Sequence, residues 1–214
     1  MSSHSPLMLM VCPRLRLGQG AMDPNNDFFW ELAEAGCGKS VSRGGLGAAA
    51  ATWVSLARYN GAVAFVIRDV KSEDFETLWR MDQECFPPGI AYSKQELKSY
   101  IRHRGSFTLV ADDSTAGKVA GFIVAHGGPT GHVVTIDVIS TARRAGVGSL
   151  LLQAAENRLR GAGSRAVGLE TAVDNLTALS FYKRHGYNVI RTWPRYYSNG
   201  VDALVMKKEL DDKV

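Results

Sequence analysis

The chain of 214 residues is 45% hydrophobic and 21% charged, which is typical of one globular domain with an appendage. Its net charge of +4 is compatible with an anionic ligand but too small to indicate a nucleic-acid-binding protein. No apolar run is long enough to span a bilayer, and the 3 scattered cysteines lack metal-ligand spacing. The cysteine pattern favours a reducing compartment, so we expect a cytoplasmic protein. The apolar runs, the cysteine spacing and the net charge together predict no membrane, metal or nucleic-acid partner.

The first 62 residues lack the strand-like alternation of the rest of the chain, and residues 44–51 are compositionally simple. Asp27–Ala35 and Ala48–Tyr59 could each form a short helix. Basic residues and serines near the start leave a mitochondrial presequence open, although several acidic residues count against it. We predict a poorly ordered extension over residues 1–62, followed by a single domain over residues 63–214.

The second part of the chain begins with a predicted strand over Ala64–Arg68. A helix follows with Ser72 as its N-cap, and it ends before the Pro-rich loop at residues 85–89. Ser93 is the N-cap of a second helix, because Glu96 three residues later completes a capping box.

The remaining segments alternate between strand-like and helix-like patterns. The predicted strands are Phe107–Ala111, Val119–Ala125, His132–Ile139, Ala166–Thr171, Tyr187–Thr192 and Ala203–Lys207. The predicted helices are Ser149–Arg160 and Asn175–His185. This order predicts a mixed α/β domain with one central sheet.

The most informative junction joins the strand His132–Ile139 to the helix that follows it. A strand that leads through a glycine-rich turn into a helix leaves several backbone N–H groups unpaired beside the positive end of the helix dipole. Gly146 and Gly148 permit a close approach to the backbone because they have no Cβ, and Arg143 and Arg144 add positive charge. The sequence therefore predicts a site for a phosphate-bearing ligand.

Two motifs together resemble those of the GNAT superfamily of N-acetyltransferases. They are R-x-x-G-x-G at Arg143–Gly148 and N-x-x-A-x-x-F-Y-x-x-x-G-Y at Asn175–Tyr187. The resemblance is strongest to the branch that acetylates ribosomal-protein alanine and other N-terminal amines. It covers about residues 65–210 and includes Phe86-Pro87-Pro88, Leu169-Glu170 and Arg195-Tyr196-Tyr197. It implies a central, mostly antiparallel sheet flanked by helices.

The resemblance implies acetyl-CoA as the co-substrate and no metal. The turn residues implied to bind its pyrophosphate are Arg143, Arg144, Ala145, Gly146, Val147, Gly148 and Ser149. Val138 is implied to flank the pantetheine, with its N–H polarising the thioester carbonyl. Asn175 matches the family's asparagine near the pantetheine arm.

The resemblance also implies two catalytic residues. Tyr182 matches the usual general acid, and a phenol can supply a proton to a departing thiolate. Glu170 matches the general base of close relatives; the alternative is a surface carboxylate paired with a nearby arginine. We interpret His132, Cys85 and His185 as structural residues.

The late tyrosines Tyr196 and Tyr197 resemble a pair that lines the peptide-entry groove of N-terminal acetyltransferases. With Phe86 and Tyr92 they could hold the first residues of a peptide, although aromatic residues are also common in strands. The predicted activity is acetyl transfer to an α-amine, at a protein N-terminus of the ribosomal-protein alanine type. The alternatives are a small amine or lysine acceptor, or an acyl-CoA-binding module without catalytic activity. The presence of both Glu170 and Tyr182 favours the enzyme.

Overall fold

The computed structural model of the chain describes residues 56–59, 62–86, 90–197 and 199–210. Within these ranges, no helix combines the length and the apolar character that crossing a bilayer requires. Four α-helices are present in these ranges: α1 Phe75–Cys85, α2 Lys94–Arg102, α3 Val147–Gly161 and α4 Leu176–Arg184.

The described residues form one sheet of eight strands in the order β1-β2-β3-β4-β5-β6-β8-β7. The strands are β1 Leu56–Tyr59, β2 Ala62–Asp69, β3 Ser106–Asp113, β4 Lys118–His126, β5 Thr130–Val138, β6 Ala166–Ala172, β7 Asn188–Trp193 and β8 Ala203–Glu209. All neighbouring strands pair antiparallel except β5 and β6, which are parallel. The predicted mixed α/β class with a mostly antiparallel sheet is confirmed.

The first strand corrects the predicted start of the domain. Leu56–Tyr59 pairs antiparallel with β2, so the sheet begins before Val63, and the last four residues of the predicted helix Ala48–Tyr59 form a strand instead. The sequence Asn60-Gly61 lies between β1 and β2, and Asn-Gly between two strands is a strong hairpin signal. Residues 1–55, including the predicted helix Asp27–Ala35, lie outside the described residues.

The two predicted helix starts have different outcomes. Ser93 accepts the N–H of Glu96 at 3.2 Å and Glu96 accepts the N–H of Ser93 at 2.8 Å, so the predicted capping box is confirmed. Ser72 is not an N-cap, because it is the first residue of a short 3-10 turn that leads into α1. Asp74 stabilises this turn by accepting the N–H of Lys71 at 2.7 Å.

The sheet separates two hydrophobic cores. The first core packs α3 and α4 against one face and includes Leu151, Leu159 and Tyr182. The second core packs α1 and α2 against the other face and includes Leu78 and Leu97. The sheet is therefore the middle layer of three.

The pairing of β5 with β6 ends early. Only Thr130–His132 pairs with Ala166–Gly168, although β5 continues to Val138 and β6 to Ala172. The two strands separate beyond this point. We call the resulting opening between the ends of β5 and β6 the strand divergence, and α3 begins beside it.

Candidate active site

The N-terminus of α3 has the backbone of an anion-binding site. Gly146 is its N-cap with φ +87°, and no side chain caps the helix. The N–H groups of Val147, Gly148 and Ser149 belong to the first turn, where an α-helix provides no carbonyl partner. Glycine adopts the positive φ at residue 146 without the steric cost of a Cβ. The junction predicted from the sequence is therefore formed as expected.

A cavity of about 350 Å³ lies in front of this helix start. Its lining residues are Val138, Ala142, Arg143, Arg144, Gly146, Val147, Gly148, Ser149, Thr177, Phe181 and Arg184. Ala145 and Asn175 were predicted to bind the same ligand but are not among them. The sequence analysis did not predict Thr177, Phe181 and Arg184 as lining residues. They lie about 30 positions or more after the turn, and only the packing of α4 beside α3 brings them to the cavity.

The two arginines of the turn are placed differently. The guanidinium of Arg143 turns back and donates from Nε to the carbonyl of Val138 at 3.0 Å, and Nη2 lies 3.6 Å from Sγ of Cys85. Arg144 is exposed and has a left-handed backbone with φ +62°. Arg143 therefore holds the end of β5 as well as lining the cavity, whereas Arg144 lies at its rim.

The backbone of Val138 faces the strand divergence. The N–H of Ile139 donates to the carbonyl of Ala120 on β4 at 3.0 Å. Successive N–H groups of a strand point to opposite sides, so the N–H of Val138 points away from β4 and towards β6. Since β6 has already separated from β5, this N–H is available to a ligand in the divergence.

Tyr182 is completely buried in the first core, on α4. Its hydroxyl makes no hydrogen bond to the described residues. Burial raises the pKa of Tyr182 well above its usual value, and the neighbouring Asp137 and Tyr197 act in the same direction. The side chain is therefore a neutral phenol near pH 7, which is the form that a general acid requires.

Glu170 has a partner that the sequence did not predict. Its side chain is 2% exposed, and its Oε2 lies 2.8 Å from Nε2 of His132. The alternative of a surface carboxylate paired with an arginine is wrong, because Glu170 is buried and its partner is a histidine. Glu170 and His132 come from β6 and β5, just where the pairing of these strands ends.

The four residues predicted to bind the acceptor lie together. Phe86, Tyr92 and Tyr197 are buried in the second core, and Tyr196 packs against that core. The rings of Tyr196 and Tyr197 are 5.1 Å apart between centroids. We call Phe86, Tyr92, Tyr196 and Tyr197 the aromatic wall. Trp193, which the sequence analysis missed, stacks on Tyr196 with centroids 5.4 Å apart.

The other predicted structural residues make structural contacts. His185 lies 2.8 Å from the carbonyl of Phe181 through Nδ1 and 3.0 Å from Oγ of Ser149 through Nε2. Cys85 is buried, and this burial raises the pKa of its thiol to about 12. The thiol is therefore protonated and unreactive at neutral pH.

Comparison with known proteins agrees with this arrangement. N-alpha-acetyltransferase 30 of Schizosaccharomyces pombe is 33% identical over 117 residues, covering 53% of this chain and 78% of that protein. An N-alpha-acetyltransferase of Sulfurisphaera tokodaii is 29% identical over 156 residues, covering 67% of this chain and 92% of that protein. The crystal structure of Ard1 from Thermoplasma volcanium superposes with a TM-score of 0.64 and 28% identity, over 70% of this chain and 100% of that chain.

The model of the Acetyltransferase (GNAT) family matches residues 75–187, which include α1, the uncapped start of α3 and all of α4. The resemblance read from the two motifs is thereby confirmed. The chain belongs to the GNAT family and is an acetyl-CoA-dependent N-acetyltransferase.

Proposed function

We propose that the enzyme acetylates the α-amine of a protein or peptide N-terminus, and that a ribosomal protein beginning with alanine is one candidate acceptor. The observation that carries this proposal is the strand divergence, which has an uncapped helix start on one face of the sheet and the aromatic wall on the other. Two similar proteins are named N-alpha-acetyltransferases, which supports an α-amine over a lysine side chain or a small amine.

The co-substrate fits the face that carries α3 and α4. The amides of Val147, Gly148 and Ser149 are oriented to bind the diphosphate of acetyl-CoA, with Arg144 adding charge at the rim. Asn175 accepts the N–H of Ala178 through Oδ1 at 3.1 Å, while its buried Nδ2 makes no hydrogen bond to the described residues. We assign Nδ2 to the pantetheine arm, because a buried donor without a partner is costly.

The base acts at some distance from the thioester. Glu170 lies two residues beyond Gly168, the last residue of β6 that pairs with β5, whereas Val138 lies six residues beyond His132. One of the six residues of β5 is the extra residue at the bulge opposite Val124 and Ala125, so the difference is about three residues, roughly 10 Å along the strand. Glu170 therefore takes the proton of the attacking ammonium through water.

The remaining groups act on the thioester itself. The N–H of Val138 donates to the carbonyl oxygen as it gains negative charge, which stabilises the transition state. Tyr182 gives its phenolic proton to the CoA thiolate as the carbon–sulfur bond breaks, and it regains a proton from the attacking nitrogen. This chemistry requires no metal.

A peptide library tests the acceptor class. Peptides that differ only in their first residue, including one that begins with alanine, are incubated with acetyl-CoA and the full chain, and products are read by mass spectrometry. We expect acetylation at the α-amine. Acetylation confined to lysine side chains or small amines would contradict the proposal. Binding of acetyl-CoA without transfer to any amine would instead indicate a module without catalytic activity.

Two predictions from the sequence stay proposals. The scattered cysteines favour a cytoplasmic location, and cell fractionation with an antibody against the chain tests it.

The second is the poorly ordered N-terminal extension. Limited proteolysis tests it and should leave a stable fragment that begins near Leu56. A protease-resistant chain that retains its first 55 residues would contradict a poorly ordered extension.

A further inference from the structure

Three histidines lie in a row that leads away from Glu170. His132 contacts Glu170 at 2.8 Å, and it lies directly opposite His126 across β4 and β5. Residues directly opposite each other have Cβ atoms about 4.5–5.5 Å apart and project from the same face of the sheet. The ring of His126 in turn contacts that of His103, which follows α2, with centroids 4.2 Å apart. We call His132, His126 and His103 the histidine row.

Exposure is lowest at Glu170 and highest at His103. The carboxylate of Glu170 is 2% exposed and the side chain of His132 is 20% exposed. His126 is half-buried, and His103 is exposed at the surface. The row therefore connects a buried carboxylate with bulk water, at the end of the sheet opposite the start of α3.

We propose that the histidine row carries the proton that Glu170 removes from the acceptor to solvent. This inference rests on the proposed role of Glu170 as the base. Acetylation of an ammonium by a thioester releases one proton per turnover, in addition to the proton that ends on the CoA thiol. The carboxyl of Glu170 is 2% exposed, so it has little direct contact with bulk water. The row supplies a route from this carboxyl to the surface.

The steps balance without any redox change. The ammonium loses one N–H proton, through water, to the carboxylate of Glu170, which becomes a neutral carboxyl. That carboxyl transfers the proton to Nε2 of His132, and the carboxylate is restored. His132 and then His126 each accept a proton at one ring nitrogen and release one from the other. His103 delivers the proton to water, and only N–H and O–H bonds form and break in this transfer.

The environment of the row suits transient protonation. Burial, together with the neighbouring His103 and His132, lowers the pKa of His126 to about 4. His126 is therefore neutral near pH 7, and it quickly releases a proton that reaches it. Nδ1 of His103 lies 2.8 Å from the carbonyl of Arg104, which only accepts, so Nδ1 carries the proton in the neutral ring.

Glutamine variants separate proton transfer from structure. His126→Gln and His132→Gln keep an amide that can hydrogen-bond, but an amide does not carry protons near neutral pH. His185→Gln is the control for the effect of imidazole and not for basal activity, because His185 lies outside the row but contacts Ser149 at the proposed diphosphate site. The turnover number of each full-length enzyme is measured with a peptide acceptor in dilute buffer and then with increasing imidazole, after thermal melting has confirmed folding.

We expect His126→Gln and His132→Gln to lower kcat by about ten-fold or more in dilute buffer, within the range of a lost proton-transfer step. Imidazole should restore kcat in proportion to its concentration, because it can accept the proton in place of the missing ring. The KM for acetyl-CoA should not change in His126→Gln. The rate of His185→Gln should not depend on imidazole.

Two results would overturn the proton path. One is an unchanged kcat of His126→Gln in dilute buffer. The other is a slow His132→Gln enzyme that imidazole does not restore, which would mean that His132 only orients Glu170. Both results leave the proposed function intact. That function fails separately, if the unmodified enzyme acetylates no α-amine in any buffer.

Discussion

Nε2 of His185 lies 3.0 Å from Oγ of Ser149, which joins the end of α4 to the first turn of α3. Nδ1 of the same ring lies 2.8 Å from the carbonyl of Phe181, and a carbonyl can only accept, so Nδ1 carries the proton. In the neutral ring Nε2 then accepts the hydroxyl proton of Ser149. The histidine thus fixes the orientation of a side chain that lines the proposed diphosphate site.

His185→Ala should therefore weaken the binding of acetyl-CoA. We expect its KM to rise roughly three- to ten-fold, which corresponds to the loss of about one hydrogen bond. kcat should change little, because His185 does not touch the reacting atoms. Steady-state kinetics and calorimetry with CoA measure the effect. A fall in kcat at unchanged KM would contradict this role.

Tyr182→Phe should lower kcat by about 10²-fold or more, because it removes the proposed proton donor. Folding should not suffer, since the buried hydroxyl makes no hydrogen bond to the described residues and its loss leaves no partner unsatisfied. Turnover and the thermal midpoint are measured together. Tyr187→Phe is the matched control for stability, because the Tyr187 hydroxyl donates to Glu156 at 3.0 Å and its removal should lower the midpoint. Unchanged turnover in Tyr182→Phe would remove this residue from catalysis.

Glu170→Gln should lower the rate most at low pH. The amide keeps the volume of the carboxylate and its contact with His132, but it cannot take a proton. An α-amine has a pKa of about 8, so above that pH the acceptor is already neutral and needs the base less. We expect the deficit relative to the unmodified enzyme to shrink as pH rises. A pH–rate profile of the same shape in both enzymes would argue against Glu170 as the base.

Gly121→Ala should distort the end of β5. A Cβ at residue 121 would lie 2.6 Å from the backbone oxygen of Asp137, next to Val138. The strand has to move, so we expect a loss of about 1–3 kcal/mol of stability together with a lower kcat. Gly161→Ala is the control, because a Cβ there meets nothing within 4 Å at the end of α3. Chemical denaturation of both variants distinguishes the clash from a general effect of removing glycine.

Asp82 should make the free energy of unfolding depend on pH. Burial raises its pKa to about 7, against the hydrogen bonds from Tyr92 and Gln83 that lower it. The folded state therefore binds more protons than the unfolded state between about pH 4 and 7, so stability falls as pH rises through this window. Asp82→Asn should make that fall smaller. Asp137, whose pKa burial also raises, acts in the same direction, whereas His126, whose pKa is lowered to about 4, acts in the opposite direction below about pH 6.5.

Denaturation at about pH 5 and 8 measures this slope. Asp113→Asn is the control, because hydrogen bonds from Thr115 and Ala116 hold the pKa of Asp113 below its usual range. A lowered folded pKa contributes stability that is already complete above about pH 4 and is lost only below it. An equal slope in Asp82→Asn and the unmodified protein would show that Asp82 is not buried as an acid.

The sequence alone predicts the structural features that residues close together in the chain determine. The capping box of Ser93 and Glu96 spans three residues, and the glycine-rich turn lies directly between its strand and its helix, so neighbouring residues alone specify both. Tyr182 lies on a helix, as its motif predicts. The hairpin signal Asn60-Gly61 was equally local, but the preceding residues had been interpreted as a helix.

The missed features depend on packing between distant segments. His132 and Glu170 are 38 residues apart and meet only because β5 and β6 are neighbours in the sheet. Arg184 reaches the cavity because α4 packs beside α3. The carbonyl of Val138 and the thiol of Cys85 determine the direction of the Arg143 side chain. The spacing of residues in the sequence does not predict these contacts.

The early end of the pairing between β5 and β6 has a kinetic consequence. In the proposed arrangement the thioester carrier and the amine approach the same gap from opposite faces, so both can be bound at once and neither must leave before the other enters. Initial rates measured against both substrates should then give intersecting reciprocal plots, as in a sequential mechanism, and not the parallel lines of an acetylated enzyme intermediate.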